Sequence, residues 1–250
     1  MMPPPMNPSD GDYGVPFPGR VLARSLWTRT GLPRDGAGRF DWEAAFGRSV
    51  PRVVDLGCGN GRYLIGSALA RPDRDHLGVD LLQPAVDHGA HRANKRGLAN
   101  VRFAVGDASD WLFHRLDAVD EIHLYHPQPY YEAEEAARRL LTPEFLRRAW
   151  EVLRPGGLLV LQTDNKAYWD YLRKAVPFLF VPRLHPSPWE DAPEGRTRRE
   201  IYSRQTGLAV FRMEAVRRDA PKEGEMPRPD FNADRPRFRR GGESRVESPP

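Results

Sequence analysis

The amino-acid sequence predicts an α/β protein: a doubly wound, mostly parallel sheet of about seven strands with helices on both faces. Three observations carry that prediction. Apolar runs of strand length alternate with segments of helical pattern from residue 53 to residue 216, and such alternation gives strand–helix–strand units with right-handed crossovers. The first run, Val53-Val54-Asp55-Leu56, opens at once into alternating glycines, Gly57, Gly59 and Gly61. The next run closes on Gly78-Val79-Asp80. A glycine turn after one strand and an acid ending its neighbour is the Rossmann-like pattern for holding a nucleoside at the carboxyl ends of parallel strands.

The elements follow in order. Val53–Leu56 is the first strand, and Arg62–Ala70 is a helix stopped near Pro72. His76–Leu81 is the second strand, and Pro84–Arg96 is a helix ended by Gly97. Asn100–Val105 alternates apolar and polar residues as a third strand and runs into Asp107. Glu121–Tyr125 is the fourth. Thr142-Pro143-Glu144 starts a helix with proline at its first position, and Arg154-Pro155-Gly156-Gly157 stops it. Leu158–Gln162 is a strand ending in Thr163-Asp164, Ala167–Val176 is a helix, and Leu208–Val216 is a late strand. Proline-rich residues 1–20 suggest disorder. The expected organisation is a largely disordered extension over 1–37, one domain over 38–218 and a disordered Pro/Arg-rich tail over 219–250, with a basic cluster at Arg235–Arg240.

Composition narrows the class. A net charge of +4 and a pI near 9.4 are compatible with an acidic partner and with simple solubility. The single cysteine, Cys58, excludes an internal disulfide, and no residue cluster suggests a metal. No run is long and apolar enough to cross a membrane. The N-terminus lacks the charged and apolar regions of a secretion signal. A cytoplasmic protein, a monomer or weak dimer without membrane or metal, is expected.

The spacing of the loop bears on its ligand. A dinucleotide fingerprint is Gly-x-Gly-x-x-Gly; this loop is Gly-x-Gly-x-Gly, with Asp55 two residues ahead of it. That acid repels a diphosphate and suits an ammonium. The loop resembles motif I of the class I S-adenosylmethionine (SAM) methyltransferases, whose cofactor carries an ammonium, a sulfonium and a ribose. Asp80 is placed to hold the ribose hydroxyls. Asp107 reads two ways: beside the adenine amine, or as the cap of a helix at 109–115. The loop His126-Pro127-Gln128-Pro129-Tyr130-Tyr131 reads as an acceptor loop, two prolines fixing the backbone around Gln128 and two tyrosines offering stacking faces; the other reading is a rigid turn with core tyrosines. The basic stretch 196–204, interleaved with Tyr202, suggests nucleic-acid contact or a solvated charged loop.

With these pieces placed, the chain resembles the bacterial tRNA (guanine-N7)-methyltransferases from about Phe40 to Arg218. The resemblance rests on Phe40-Asp41-Trp42-Glu43-Ala44-Ala45-Phe46-Gly47, Arg138-Arg139-Leu140 with Pro143-Glu144-Phe145, Leu153-Arg154-Pro155-Gly156-Gly157, Thr163-Asp164 and Thr197-Arg198-Arg199-Glu200. It implies SAM as cofactor, tRNA as partner, cofactor contacts from Asp55, Asp80 and Asp107, and substrate contacts from Asp164, Thr197, Arg198, Arg199 and Glu200. Two positions depart from the family. Its Pro-Asp-Pro-Trp motif has a catalytic aspartate where this chain has Gln128, and Tyr130 replaces the tryptophan. Glu132 stands where a substrate-binding lysine is expected. Besides guanine-N7 methylation, these departures leave room for a catalytically weak RNA-binding homologue or a SAM enzyme with another acceptor.

Overall fold

The computed structural model describes residues 11–33, 38–130, 135 and 138–229; Tyr131, Glu132 and the Arg235–Arg240 cluster lie outside them. Two short strands, β1 (Gly11–Asp12) and β2 (Val15–Pro16), pair as a hairpin. Helix α1 (Trp42–Phe46) is capped by Asp41, which accepts from the Ala44 amide at 2.9 Å. There follow β3 (Arg52–Leu56), α2 (Arg62–Ala70), β4 (Asp75–Asp80), α3 (Gln83–Lys95), β5 (Val101–Val105) and a short α4 (Ala108–Asp110). Next come β6 (Val119–Tyr125), α5 (Pro143–Val152), β7 (Leu153–Thr163), α6 (Lys166–Ala175), β8 (Phe180–Leu184), α7 (Arg198–Gln205) and β9 (Phe211–Arg217).

Strands β3 to β9 make a seven-stranded sheet in the order β5-β4-β3-β6-β7-β9-β8, parallel except for β9, which runs against both β7 and β8. The chain winds outward from β3 through β4 to β5 and then returns to β6 on the other side of β3. The switch in winding direction leaves a crevice above the carboxyl ends of β3 and β6, where ligands of such sheets sit. Each face carries its own core. On one, Leu64 and Ile65 of α2 and Val86, Ala90 and Ala93 of α3 cluster with Val101 and Phe103. On the other, Phe145, Leu146 and Ala149 of α5 and Tyr168 and Leu172 of α6 cluster with Leu56, Ile122 and Leu159.

Two local expectations change. The Arg154–Gly157 turn lies inside β7: Val119 pairs with Leu153 and Glu121 with Leu158, so the extra residues bulge out while pairing continues on both sides. Strand β8 and helix α7 were not foreseen. Pro182 masks β8 in the sequence, yet β8 is the edge strand, where proline is tolerated.

The two ends also differ from expectation. Residues 11–33 pack on the domain instead of trailing from it. Phe17 is buried, with the guanidinium of Arg92 4.2 Å from its ring centroid and those of Arg62 and Arg96 5.2 and 5.7 Å away. Thr30 and Leu32 exchange backbone hydrogen bonds with Phe103, covering the outer side of β5. Residues 219–229 dock as well: Met226 joins the core beneath α5 and α6, and the Lys222 amide donates to the Phe178 carbonyl at 2.7 Å. Proline content misled here, because a few apolar and backbone contacts suffice to pin an otherwise polar strap.

Candidate functional site

The glycine loop leaves β3 and enters α2 with left-handed backbone at Gly57, Gly59 and Gly61 (φ 82°, 53° and 75°). Two of these differ instructively. A Cβ at Gly61 would collide with the ring of Phe103 at 2.7 Å, so that glycine serves helix–sheet packing; a Cβ at Gly59 would meet nothing within 4 Å. Gly59 faces open space, the arrangement a ligand lying against bare backbone requires. The loop is pinned by Asp80, whose Oδ2 accepts from the Gly59 amide at 2.7 Å and Oδ1 from the Leu82 amide at 2.9 Å. Each oxygen keeps a second acceptor site.

Asp55 lies beneath the loop at 1% exposure, and its Oδ1 has no hydrogen-bond partner. Burial, with Asp80 adding like charge, raises its pKa well above the usual carboxylate range. A buried carboxyl oxygen without a partner is unfavourable and calls for an explanation. A ligand cation supplies one. The orphaned acid, the open glycine backbone and Asp80 on the adjacent strand together fit the ammonium, amino-acid backbone and ribose of SAM. Asp107 caps α4, its Oδ1 accepting from Ser109 and Asp110 at 2.8 and 3.0 Å. The capping reading therefore holds; an exposed carboxylate after β5 remains available to a ligand as well.

The loop after β6 is braced by side chains from outside it. His126 and Tyr130 both adopt positive φ (52° and 44°). The Gln128 carbonyl accepts from the buried Tyr168 hydroxyl at 3.1 Å, while the Gln128 residue itself is exposed. Arg139 donates to the carbonyls of Pro129 (3.1 Å) and Tyr130 (3.0 and 2.8 Å) and so acts as a strut. Arg138 lies over the Tyr130 ring at 4.7 Å.

Beside this loop runs a polar network that joins Asp164, Arg199 and Glu200 to three residues the sequence did not single out as partners, Gln162, His126 and Ser203. Gln162, next to the end of β7, donates its amide to His126 Nε2 at 2.9 Å and to Glu200 at 3.1 Å. Because Nε2 accepts, His126 carries its proton on Nδ1, which faces Asp164 Oδ1 at 3.2 Å. Asp164 Oδ2 accepts from Arg199 Nε and Ser203 Oγ, both at 2.7 Å. Burial alone would raise the Asp164 pKa; the bonds from His126 and Ser203 and the charge of Arg199 overcome it and hold the carboxyl well below its usual range.

Two residues given substrate roles by resemblance do structural work. Thr197 is the N-cap of α7, accepting from the Glu200 amide at 3.0 Å. Glu200 is wholly buried, paired with Arg212 at 2.6 Å and accepting from the Arg196 amide at 2.8 Å. Thr-x-x-Glu is a capping-box spacing, the signal that marks a helix start here. Arg196 is also turned inward, stacked on Trp189 at 3.9 Å and bonded to Asp191 and Tyr125. Arg198 and Arg199 are left exposed at the crevice rim. Among the described residues no helix is long and apolar enough to cross a membrane.

Comparisons with known proteins agree with the fold. A family model described as "Putative methyltransferase" matches residues 49–194. The tRNA (guanine-N(7)-)-methyltransferase of Halorhodospira halophila is 34% identical over 65% of this chain and 76% of its own length. That of Alkalilimnicola ehrlichii is 37% identical over 59% of this chain and 63% of its own length. That of Xanthomonas euvesicatoria is 34% identical over 85% and 64%. The chain thus spans roughly two thirds of these relatives, slightly less for the latter two. Among solved structures, the 16S rRNA methyltransferase KamB superposes with a TM-score of 0.55 at 19% identity, covering 76% of this chain and 99% of KamB. The antibiotic-resistance methyltransferase Kmr gives 0.52 at 20% identity, over 76% and 98%. These two speak for the fold alone.

Proposed function

This chain belongs to the tRNA (guanine-N(7)-)-methyltransferase family, and we propose that it transfers a methyl group from SAM to N7 of a guanine in tRNA. The observation that carries the cofactor side is the unpartnered Oδ1 of buried Asp55 beneath open glycine backbone at the switch point. Asp55 would take the ammonium, Asp80 the ribose and Asp107 the adenine edge. SAM, when bound, supplies an electrophilic methyl on a positive sulfonium.

Guanine N7 carries a free lone pair at neutral pH, so no residue need remove a proton. The chain's task is alignment, an entropic contribution. Gln128 suits it: an amide on a backbone braced by Tyr168 and Arg139 hydrogen-bonds a guanine edge with little freedom to lose. This accommodates glutamine where the family has aspartate. Asp164, held ionised by His126, Ser203 and Arg199, places α7 beside the same crevice. Cytoplasmic tRNA is the expected substrate pool.

The test is nucleoside mass spectrometry of bulk tRNA incubated with protein and SAM. Wild type should form 7-methylguanosine. Gln128→Ala should lower the rate by about one to three powers of ten, the scale of lost positioning, and Gln128→Asp should keep or raise it. No 7-methylguanosine from folded, SAM-binding wild type would overturn the reading. Activity restored by Gln128→Asp alone would identify a lapsed enzyme.

A further inference from the structure

The N-terminal hairpin carries a feature that its own folding does not require. Its two-residue turn, Tyr13-Gly14, has positive φ at both positions (49° and 83°). Turns of this kind favour Asn-Gly or Gly-Gly, because a side chain with Cβ is strained there. A tyrosine stands at the strained position and is 46% exposed. Its ring packs against that of Tyr202 on α7, itself 37% exposed, with centroids 5.5 Å apart. Arg198 lies 5.2 Å from the Tyr13 ring and Arg199 5.3 Å from the Tyr202 ring. Two exposed aromatic rings flanked by two exposed arginines form one patch, joined to the crevice through the Arg199–Asp164 ion pair.

The patch is held firmly. Asp12, 4% exposed, accepts from Asn60 of the glycine loop at 2.9 Å. Arg62 at the start of α2 donates to the Pro16 carbonyl at 2.7 Å and the Gly195 carbonyl at 3.3 Å. Gln205 of α7 donates to the Tyr13 carbonyl at 3.0 Å. The hairpin is thus fixed to both the cofactor loop and α7.

We propose that Tyr13 and Tyr202 form a stacking platform for an unpaired nucleotide of the RNA, with Arg198 and Arg199 taking the adjoining phosphates. The chemistry is general: tyrosine faces stack on any exposed base, and guanidinium groups neutralise backbone phosphates. Paired bases in a duplex do not offer their faces, so the platform selects a loop or splayed segment. The inference rests on the reading of RNA as the acceptor and locates how RNA is gripped beside the methyl-transfer site.

The experiment compares wild type with Tyr13→Asn and Tyr202→Ala on fluorescein-labelled bulk tRNA, a single-stranded oligoribonucleotide and a blunt RNA duplex. Tyr13→Asn removes the ring but installs a residue the turn prefers, so the fold is kept; SAM affinity and melting temperature serve as controls. Each variant should weaken tRNA and single-strand binding by about 5- to 150-fold, the range for one lost base stack, with duplex binding little changed. Tyr13→Phe should bind like wild type. Arg198→Ala should reduce the salt slope of tRNA binding by about one unit. Unchanged tRNA affinity in Tyr13→Asn, with wild type still forming 7-methylguanosine, would overturn the platform and leave the methyltransferase reading standing. Ring-dependent RNA binding without 7-methylguanosine would do the reverse. Wild type that binds no RNA would overturn both.

Discussion

Asp55 is in conflict with its surroundings, buried beside Asp80 with one oxygen unpartnered. A carboxyl whose folded pKa lies above its unfolded value binds more protons when folded, so above the ordinary carboxylate range it opposes folding increasingly as pH rises. Asp55→Asn should therefore raise the melting temperature of the cofactor-free protein. It should also weaken SAM binding by about 10- to 100-fold, the loss of one charge-assisted hydrogen bond and ion contact. Calorimetry and thermal melts check the two halves; a variant that lost stability and kept SAM affinity would mean that Asp55 is a packing residue. The residues most legible in the sequence were those of the strand–loop–strand frame, the alternating glycines that turn β3 into α2 and the acids Asp55 and Asp80 near the strand ends, because backbone conformation and element boundaries are local. His126, Gln162 and Arg212 were not legible. Their roles depend on partners 12 to 38 positions away, brought together only by the sheet order, and no local pattern encodes that.

Elements were legible where periodicity and caps agreed. Thr142-Pro143 marks the start of α5 because a hydroxyl cap and a proline at the first position satisfy the same helix end. Helix α7 begins on the same kind of signal, yet its charged residues invited a functional reading first. The straps at the two ends were illegible because they form almost no regular structure of their own. Their removal should be felt. A protein trimmed to residues 38–218 loses Phe17, Thr30, Leu32 and Met226 from their sites, and Phe17→Ala alone should cost about 3–5 kcal/mol if its pocket does not collapse. The expected result is a clearly lower denaturation midpoint for the trimmed protein in urea. An unchanged midpoint would mean that the straps rest on the domain without stabilising it.

At the scale of the molecule, acid stability follows from two buried imidazoles. Burial and the charge of Arg71 lower the pKa of His76 to about 3, while burial lowers that of His123 to about 4. Both stay neutral in the folded state while the unfolded chain protonates them near pH 6.5, so stability is complete above that pH and falls as pH drops toward 4. Each contributes a slope of about 1.4 kcal/mol per pH unit across that window. Asp55 acts against them, because its protonation relieves the folded state. Urea titrations at pH 7.5 and pH 5 should therefore show lower stability at pH 5, and a steeper loss in Asp55→Asn. Equal stability at the two pH values in that variant would show that the imidazoles take up protons without unfolding.

Arg62 gives the molecule one further property. Its guanidinium, 6% exposed, bonds the hairpin at Val15 and Pro16 and the segment before α7 at Gly195, while its backbone opens the helix that leaves the glycine loop. Ordering that loop with a ligand should damp the opening of both attached segments, since Arg62 bonds each of them. Amide hydrogen exchange across residues 11–16 and 195–197 should slow when SAM is added. By thermodynamic linkage the traffic is two-way: whatever factor the cofactor adds to the grip of the proposed platform on RNA, RNA returns to the cofactor.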